Sequence, residues 1–338
     1  IEGYRGRMAV GYHAVFEDPL QFNQLHVTLS YLPDSPFEDQ DWHFDLEYKT
    51  LRWRFRYWHN DADFYDLFGP TERARAGDAF IVGYHNSFIY DPPRQLDFSV
   101  DAAYYTGLDT LPSAQEVSTS FDELASINAE LHYTNTTRSL GAVDHERGWE
   151  WDLAVGADHA NGDTFPSIRG GVNFGVPLPV NNSSVWLYSA AGTVGGDDAS
   201  PLSAWYMGAF GNNYVDDREI KRYREFDTFP GFEINEIEAQ TFARVIGEVN
   251  LPPLRFEDLG MASLFLSSMR PAIFVGAMEA EPRFGDRRSL QTAGFQTDWN
   301  FTVAHRLPMT FSVGYARGFE DGEAESDDFN KLVIGAGL

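Results

Sequence analysis

The sequence predicts an all-β fold, a single closed antiparallel transmembrane β-barrel of about sixteen strands with 1–338 as one domain. Three observations predict it. Apolar and polar residues alternate with period two along the whole chain, in segments of ~10 residues. The connections between segments alternate between short and long. No apolar run reaches the ~18 residues of a membrane-crossing helix, and helical periodicity is nearly absent.

The segment 51–57 shows the alternation most clearly. Leu51, Trp53, Phe55 and Tyr57 fall on one side of a strand and Arg52, Arg54 and Arg56 on the other, because successive side chains point to opposite faces. The same pattern marks 8–16, 42–48, 96–102, 127–133, 149–155, 299–303 and 311–315. Strands are expected to begin near residues 3, 22, 40, 51, 79, 95, 124, 147, 165, 183, 203, 236, 259, 288, 308 and 328. That spacing, ~21 residues for a strand and its connection, suits bilayer-spanning strands of ~9–11 residues. Short connections are expected at 50–52, 91–94, 178–182, 252–256 and 307–308, and long ones at 60–77, 107–121, 137–146 and 216–235. Trp42, Tyr48, Trp53, Tyr57, Tyr84, Tyr90, Tyr104, Tyr133, Trp149, Trp186, Trp205 and Trp299 fall mostly at segment ends, where rings would sit at the headgroup level. A propeller would show a blade-length repeat, and the chain has none.

If the aromatic faces meet lipid, the charged faces line a lumen. Asp45 and Glu47 then neighbour Arg52, Arg54 and Arg56 across a tight turn, and Arg244 lines the same lumen from the strand over 237–251. Cross-strand ion pairs stabilise by roughly 0.2–1 kcal/mol each. Two roles follow for the arginines: balancing the lumen carboxylates, or forming a basic rung that selects anions or grips an inserted loop.

A net charge of -26 argues against nucleic acid as a partner, since phosphate binding needs a basic surface. Acidic loops, above all 320–328, are the candidate sites for divalent cations, without the spacing of an EF-hand; no other cofactor is expected. The absence of cysteine excludes disulfides and thiolate metal sites. Nothing at Ile1 reads as a leader peptide. Nine histidines are present, but no Gly-x-Ser-x-Gly elbow and no His-Glu-x-x-His pair. No catalytic or metal-binding residue is therefore assigned, and an outer-membrane barrel hydrolase is the least favoured reading.

Phe229-Pro230-Gly231-Phe232 follows the charged run 216–227 and falls, by count, between strands eleven and twelve. Pro-Gly also favours an ordinary type II turn. At this point the chain resembles the barrels of the bacterial surface-antigen and outer-membrane assembly superfamily. The resemblance implies sixteen strands and a loop between strands eleven and twelve that folds into the lumen with an Arg-Gly-aromatic tip. Gly231 and Phe232 match that tip, with Pro230 in place of the arginine. The family's acidic partner on strand thirteen corresponds to Gly276 within Phe274-Val275-Gly276-Ala277, so both ends of the family's ion pair are replaced. Packing of Phe229 and Phe232 is expected to hold the loop instead. The segment 60–71 resembles surface-antigen-like barrels that follow TolB-like propeller domains in longer proteins. Together these imply a bacterial outer-membrane barrel, and an even number of strands places both termini in the periplasm. It would act as anchor or conduit for a periplasmic or surface partner, with outer-membrane lipid around it and a protein partner in a larger complex. The alternative is a porin-type diffusion channel for small solutes.

Overall fold

A computed structural model describes residues 2–4, 7–33, 41–60, 77–108, 121–210, 221–233, 235–257, 259–261, 263–304, 306–320 and 323–324. The strands are β1 (Glu2–Tyr4), β2 (Arg7–Glu17), β3 (Asn23–Tyr31), β4 (Trp42–Thr50), β5 (Trp53–His59), β6 (Asp78–Asp91), β7 (Arg94–Thr106), β8 (Leu124–Thr137), β9 (Arg147–Ala160) and β10 (Asp163–Pro177). They continue with β11 (Ser184–Val194), β12 (Trp205–Met207), β13 (Ile237–Ala239), β14 (Thr241–Asn250), β15 (Leu254–Arg255) and β16 (Gly260–Met261). The last four are β17 (Leu264–Glu281), β18 (Arg288–Val303), β19 (Leu307–Glu320) and β20 (Glu323–Ala324). No described residue is α-helical.

Eighteen strands form one antiparallel sheet, while β12 and β13 pair only with each other. β15 and β16 are two-residue segments folded back on β17. The other sixteen, eighteen less these two, succeed one another as rungs in chain order, with β11 eleventh and β14 twelfth. No pairing among the described residues joins β1 to β20, so the sheet they form is open.

Three expectations change. The strand expected near 203 is only β12, three residues inside the 195–240 connection, and β11 pairs directly with β14 from Ser184↔Asn250 to Thr193↔Thr241. Arg52 lies in the turn between β4 and β5 rather than in the strand that carries Arg54 and Arg56. The connection 138–146 lies at the end of the sheet that carries the short turns 18–22, 51–52, 92–93, 178–183 and 304–306. The strands flanking 32–41, 60–77, 107–123 and 195–240 enter and leave those connections at the other, long-loop end. The strand expected near 328, most of the acidic stretch 320–328 and most of 60–71 lie outside the described residues.

Local chemistry explains the turns. Asp18 accepts the N–H groups of Leu20, Phe22 and Asn23, closing the β2–β3 turn. Asn161 and Gly162, at φ 53° and 88°, make the two-residue β9–β10 turn whose handedness matches strand twist.

The two faces differ sharply. On one face Val82, Ile127, Val155, Val172, Ile273 and Phe295 are 41% to 53% exposed. Aromatic pairs edge this apolar face at both ends. Trp53–Tyr84 (4.9 Å) and Tyr133–Trp149 (5.0 Å) lie at the short-turn end. Tyr31–Trp42 (4.9 Å) and Tyr57–Phe80 (5.0 Å) lie at the long-loop end. Trp186 and Trp205 depart from the expected girdle. Trp186 is buried on the opposite, polar face, donating to the His145 carbonyl at 3.0 Å, and Trp205 belongs to the 195–240 connection.

The polar face buries Arg244, Glu248, Asn250, Gln296, Asp298 and Ser312. Exposed apolar and buried charged side chains invert the distribution of a water-soluble sheet.

Candidate functional site

The described residues of the connection 195–240 pack onto the polar face of β11, β14, β17, β18 and β19 as an insertion. It opens with a 3-10 turn, Pro201–Ser203, whose first free N–H groups are capped by the Ser200 hydroxyl accepting from Leu202 at 3.3 Å. It closes on the β12–β13 ribbon, from Trp205↔Ala239 to Met207↔Ile237. Two apolar clusters seat it. Met207, Phe229, Phe232 and Ile237 pack with Phe242, Met278 and Leu290 of the sheet. Phe210 and Tyr223 pack with Tyr188, Ile246 and Phe274, and Tyr223 lies 4.4 Å from Phe274, ring over ring. Each buried ring contributes about 1.5–3 kcal/mol.

The tip Phe229-Pro230-Gly231-Phe232 lies against the sheet rather than in solvent. Phe229 and Phe232 are buried with centroids 5.6 Å apart. Gly231 has φ 97°, and a Cβ there would stand 2.4 Å from the Gly318 nitrogen; a Cβ on Gly318 would stand 2.7 Å from the Phe232 ring. Two glycines thus permit a contact no other residue pair could make. The Thr292 hydroxyl donates to the Pro230 carbonyl. Gly276 lies on β17, where a side chain would meet Thr292 at 2.9 Å and Ile246 at 3.0 Å, so the position has no room for a carboxylate.

Charged groups pin the insertion along the sheet. Arg224 grips Glu248 with two N–H groups, at 3.0 and 2.6 Å, and reaches Asp144 of the 138–146 connection at 2.8 Å. Lys221 lies 3.4 Å from Asp144 and donates to Asn250. Arg244 donates to the carbonyls of Tyr223 (3.2 Å), Arg224 (3.0 Å), Glu225 and Thr228 (2.7 Å), satisfying the open end of the 3-10 turn Arg222–Arg224. At the long-loop end, Arg283 holds Glu238 at 2.7 and 3.0 Å and the Tyr206 hydroxyl at 3.2 Å. The insertion is therefore fastened at both ends of the sheet.

Burial acts on each of these groups. It would raise the Asp144 carboxyl, but Arg224 and Lys221 overcome it and hold the group well below the usual carboxylate range. Burial, with Arg224 adding to it, pushes the Lys221 ammonium down against the pull of Glu248 and Asp144. The hydrogen bond from Arg283 lowers Glu238, and burial pushes the Tyr206 hydroxyl up to about 12.

The arginines singled out in the sequence lie elsewhere on the polar face. Arg56 meets Asp45 with two bonds, at 2.9 and 2.8 Å, and lies over the Trp58 ring at 3.9 Å. Arg54 crosses β6 to reach Asp101 at 2.7 Å. Glu47 meets Lys49 at 2.7 Å rather than an arginine. The structure thus joins Asp45 with Arg56 but brings neither to the insertion. The gripping role falls to Arg244, which the alternation did place on this face, and to Arg224, Lys221, Glu248 and Asp144, which it did not single out. The signal for Arg244 and Glu248 was present as charges on an otherwise apolar face of β14, Phe242, Arg244, Ile246, Glu248; Arg224, Lys221 and Asp144 lie in connections, where alternation carries no signal.

Two spaces remain. Trp58, Tyr105, Leu124, Phe165, Val194 and Leu202 belong to an apolar cluster at the long-loop end. Toward the short-turn end a polar cleft of ≈ 460 Å³ runs beside the insertion, lined by Glu130, Glu150, Asp152, Arg169, Glu225 and Asp227 among others. Arg169 bridges its walls, 3.3 Å from Asp152 and 4.3 Å above the Phe226 ring. The described residues hold no cluster of histidines and carboxylates arranged for a metal ion.

Fold and site define an all-β chain whose sheet is apolar on one face and carries a pinned insertion on its polar face. No protein-family model and no curated protein matches the chain.

Proposed function

We propose that the chain is a closed outer-membrane β-barrel of the surface-antigen type whose lumen holds a resident insertion. It serves as a membrane anchor or conduit for a periplasmic or surface partner. The observation that carries this reading is the inversion of the sheet: an exposed apolar face edged by aromatics at both ends, backed by a polar face that buries ion pairs. An apolar face of this extent requires a hydrocarbon solvent, and closure pairs the strand edges that lipid cannot satisfy. Support for the surface-antigen type comes from the place of the insertion, between the eleventh and twelfth rungs, and from its buried Gly231–Phe232 tip.

A porin-type channel is the second reading. The ≈ 460 Å³ polar cleft and the exposed pairs on β4–β7 favour it. The apolar cluster at the long-loop end and the pinned insertion favour the plugged anchor. Conductance in planar bilayers separates the two: the anchor predicts near-silence, and a large steady open conductance would replace it with the porin. Failure of the protein to insert into vesicles, read by protease protection of its strands, would sink both.

A further inference from the structure

We infer that the polar face carries a subsite for a small oxyanion, a phosphate or a carboxylate, at its short-turn end between β4 and β7. Lys49, Arg54, Gly83 and Asp101 are successive partners across β4, β5, β6 and β7. Gly83 makes this rung concave. A Cβ there would stand 2.6 Å from the Asp101 carboxylate and 3.4 Å from the Arg54 guanidinium, so only glycine lets that ion pair bridge the strand and leave space above it. On the next rung His85 opposes Ser99, and the His85 N–H donates to the Arg52 carbonyl at 2.8 Å, which places Arg52 beside them. The result is a cleft of ≈ 360 Å³ lined by Lys49, Arg52, Arg54, His85, Ser99 and Asp101.

In a chain of net charge -26, three full cations and one carboxylate line this cleft. Lys49 is held by Glu47 and Arg54 by Asp101. The Arg52 guanidinium, the His85 ring and the Ser99 hydroxyl take no side-chain partner among the described residues. Two carboxylates adjoin the cleft: Glu130, which opposes Ser99 across β8, lies 3.6 Å from Arg169, and Asp97 on β7 is engaged by Ser87 at 2.6 Å and Gln95 at 2.6 Å. Unengaged donors converging beside two fixed cations form the complement of an oxyanion, which accepts several N–H and O–H bonds at once. Arg56 takes no part, because Asp45 already fills its fork. The acidic cleft beside the insertion supplies an internal contrast of opposite sign.

The subsite rests on the reading of this face as water-filled. The chain has no cysteine, so Ser99→Cys introduces a single thiol. Its reaction with negatively and positively charged methanethiosulfonates is followed in detergent-solubilised protein, each rate normalised to the same reagent's rate with a free small thiol. The anionic reagent should be favoured about tenfold at low salt, with the preference fading as salt screens it. Inorganic phosphate should slow it, and the double variant Lys49→Glu, Arg52→Glu should reverse the preference. A thiol at Asn173→Cys, in the acidic cleft, should prefer the cationic reagent. Since Ser99 is itself a donor, calorimetric titration of the unaltered chain with inorganic phosphate gives a second reading, with affinity falling about tenfold in Arg52→Gln. Equal rates, preference for the cation, or no reaction at Ser99→Cys overturns the subsite. Vesicle insertion is scored separately: insertion without charge preference removes the subsite alone, and charge preference without insertion removes the barrel reading alone.

Discussion

Arg54 meets Asp101 at 2.7 Å with side chains 43% and 40% exposed; Arg224 meets Glu248 at 2.6 Å with side chains 14% and 0% exposed. Both pairs lie on the polar face and share one chemistry, but their surroundings differ. The first keeps much of its hydration, so solvent screens its attraction. The second has lost nearly all of its hydration, and its charges are met by each other, Asp144, Lys221 and Asn250. The difference shows that a row of arginines visible in a sequence need not be the row that holds the fold. Removing either partner of the buried pair strands an unmatched charge, whereas removing a partner of the exposed pair returns the other to water.

That comparison can be broken or sharpened by experiment. Glu248→Ala should cost about 3–5 kcal/mol, because Arg224 and Lys221 would be left buried without it. The expected signs are proteolysis within 195–240 and a lowered denaturant midpoint; an unchanged midpoint would show the network to be dispensable. Gly231→Val should cost about 1–3 kcal/mol, since it forces both the backbone and the Gly318 contact. Hydrogen exchange at 229–232 should accelerate while exchange in β3–β9 stays as it was.

Acid should loosen the same attachment. The Asp144 carboxyl is depressed, so its contribution is complete above its ordinary value of 3.8 and is lost as the pH falls through the depressed value. Lys221 is depressed as well, so its penalty is relieved as the pH rises toward its ordinary 10.5. Protease resistance of the insertion should therefore rise with pH up to the ordinary tyrosine value of 10.0, above which the buried Tyr206 hydroxyl acts in the opposite direction; a fall between neutral pH and that value would contradict the assignment. The smallest effect belongs to Arg54→Ala, within about 1 kcal/mol, and a double-mutant cycle with Asp101→Ala should return a coupling of the same size.

Much of this architecture was legible along the chain. The alternation at 42–48, 51–57, 96–102 and 149–155 returned as β4, β5, β7 and β9 with the expected sides, because period two specifies a face irrespective of what lies on it. The place of Phe229-Pro230-Gly231-Phe232 in the connection ahead of β14 was also legible, but its rung number was not: the expected eleventh strand near 203 is no rung, and the count is restored only because 3–17 forms two strands, β1 and β2. The same reasoning misassigned 203, where Trp205, Tyr206 and Met207 look like a strand but pair only within the insertion. It also placed Arg52 in a strand that begins one residue later. In both places a short segment satisfies the alternation by chance, and only its hydrogen-bond partner distinguishes strand from turn.

By itself the sequence determined an antiparallel all-β chain, the two chemically opposite faces of its sheet, and the approximate order and spacing of its rungs. These follow from the two-residue repeat and from turn residues, which act locally. The tertiary structure alone decided which charges are paired. Arg224 and Asp144 are eighty positions apart, and Arg283 and Glu238 forty-five. No local rule connects residues at that separation, and burial, which turns a surface charge into a structural pin, exists only once the insertion has folded across the sheet.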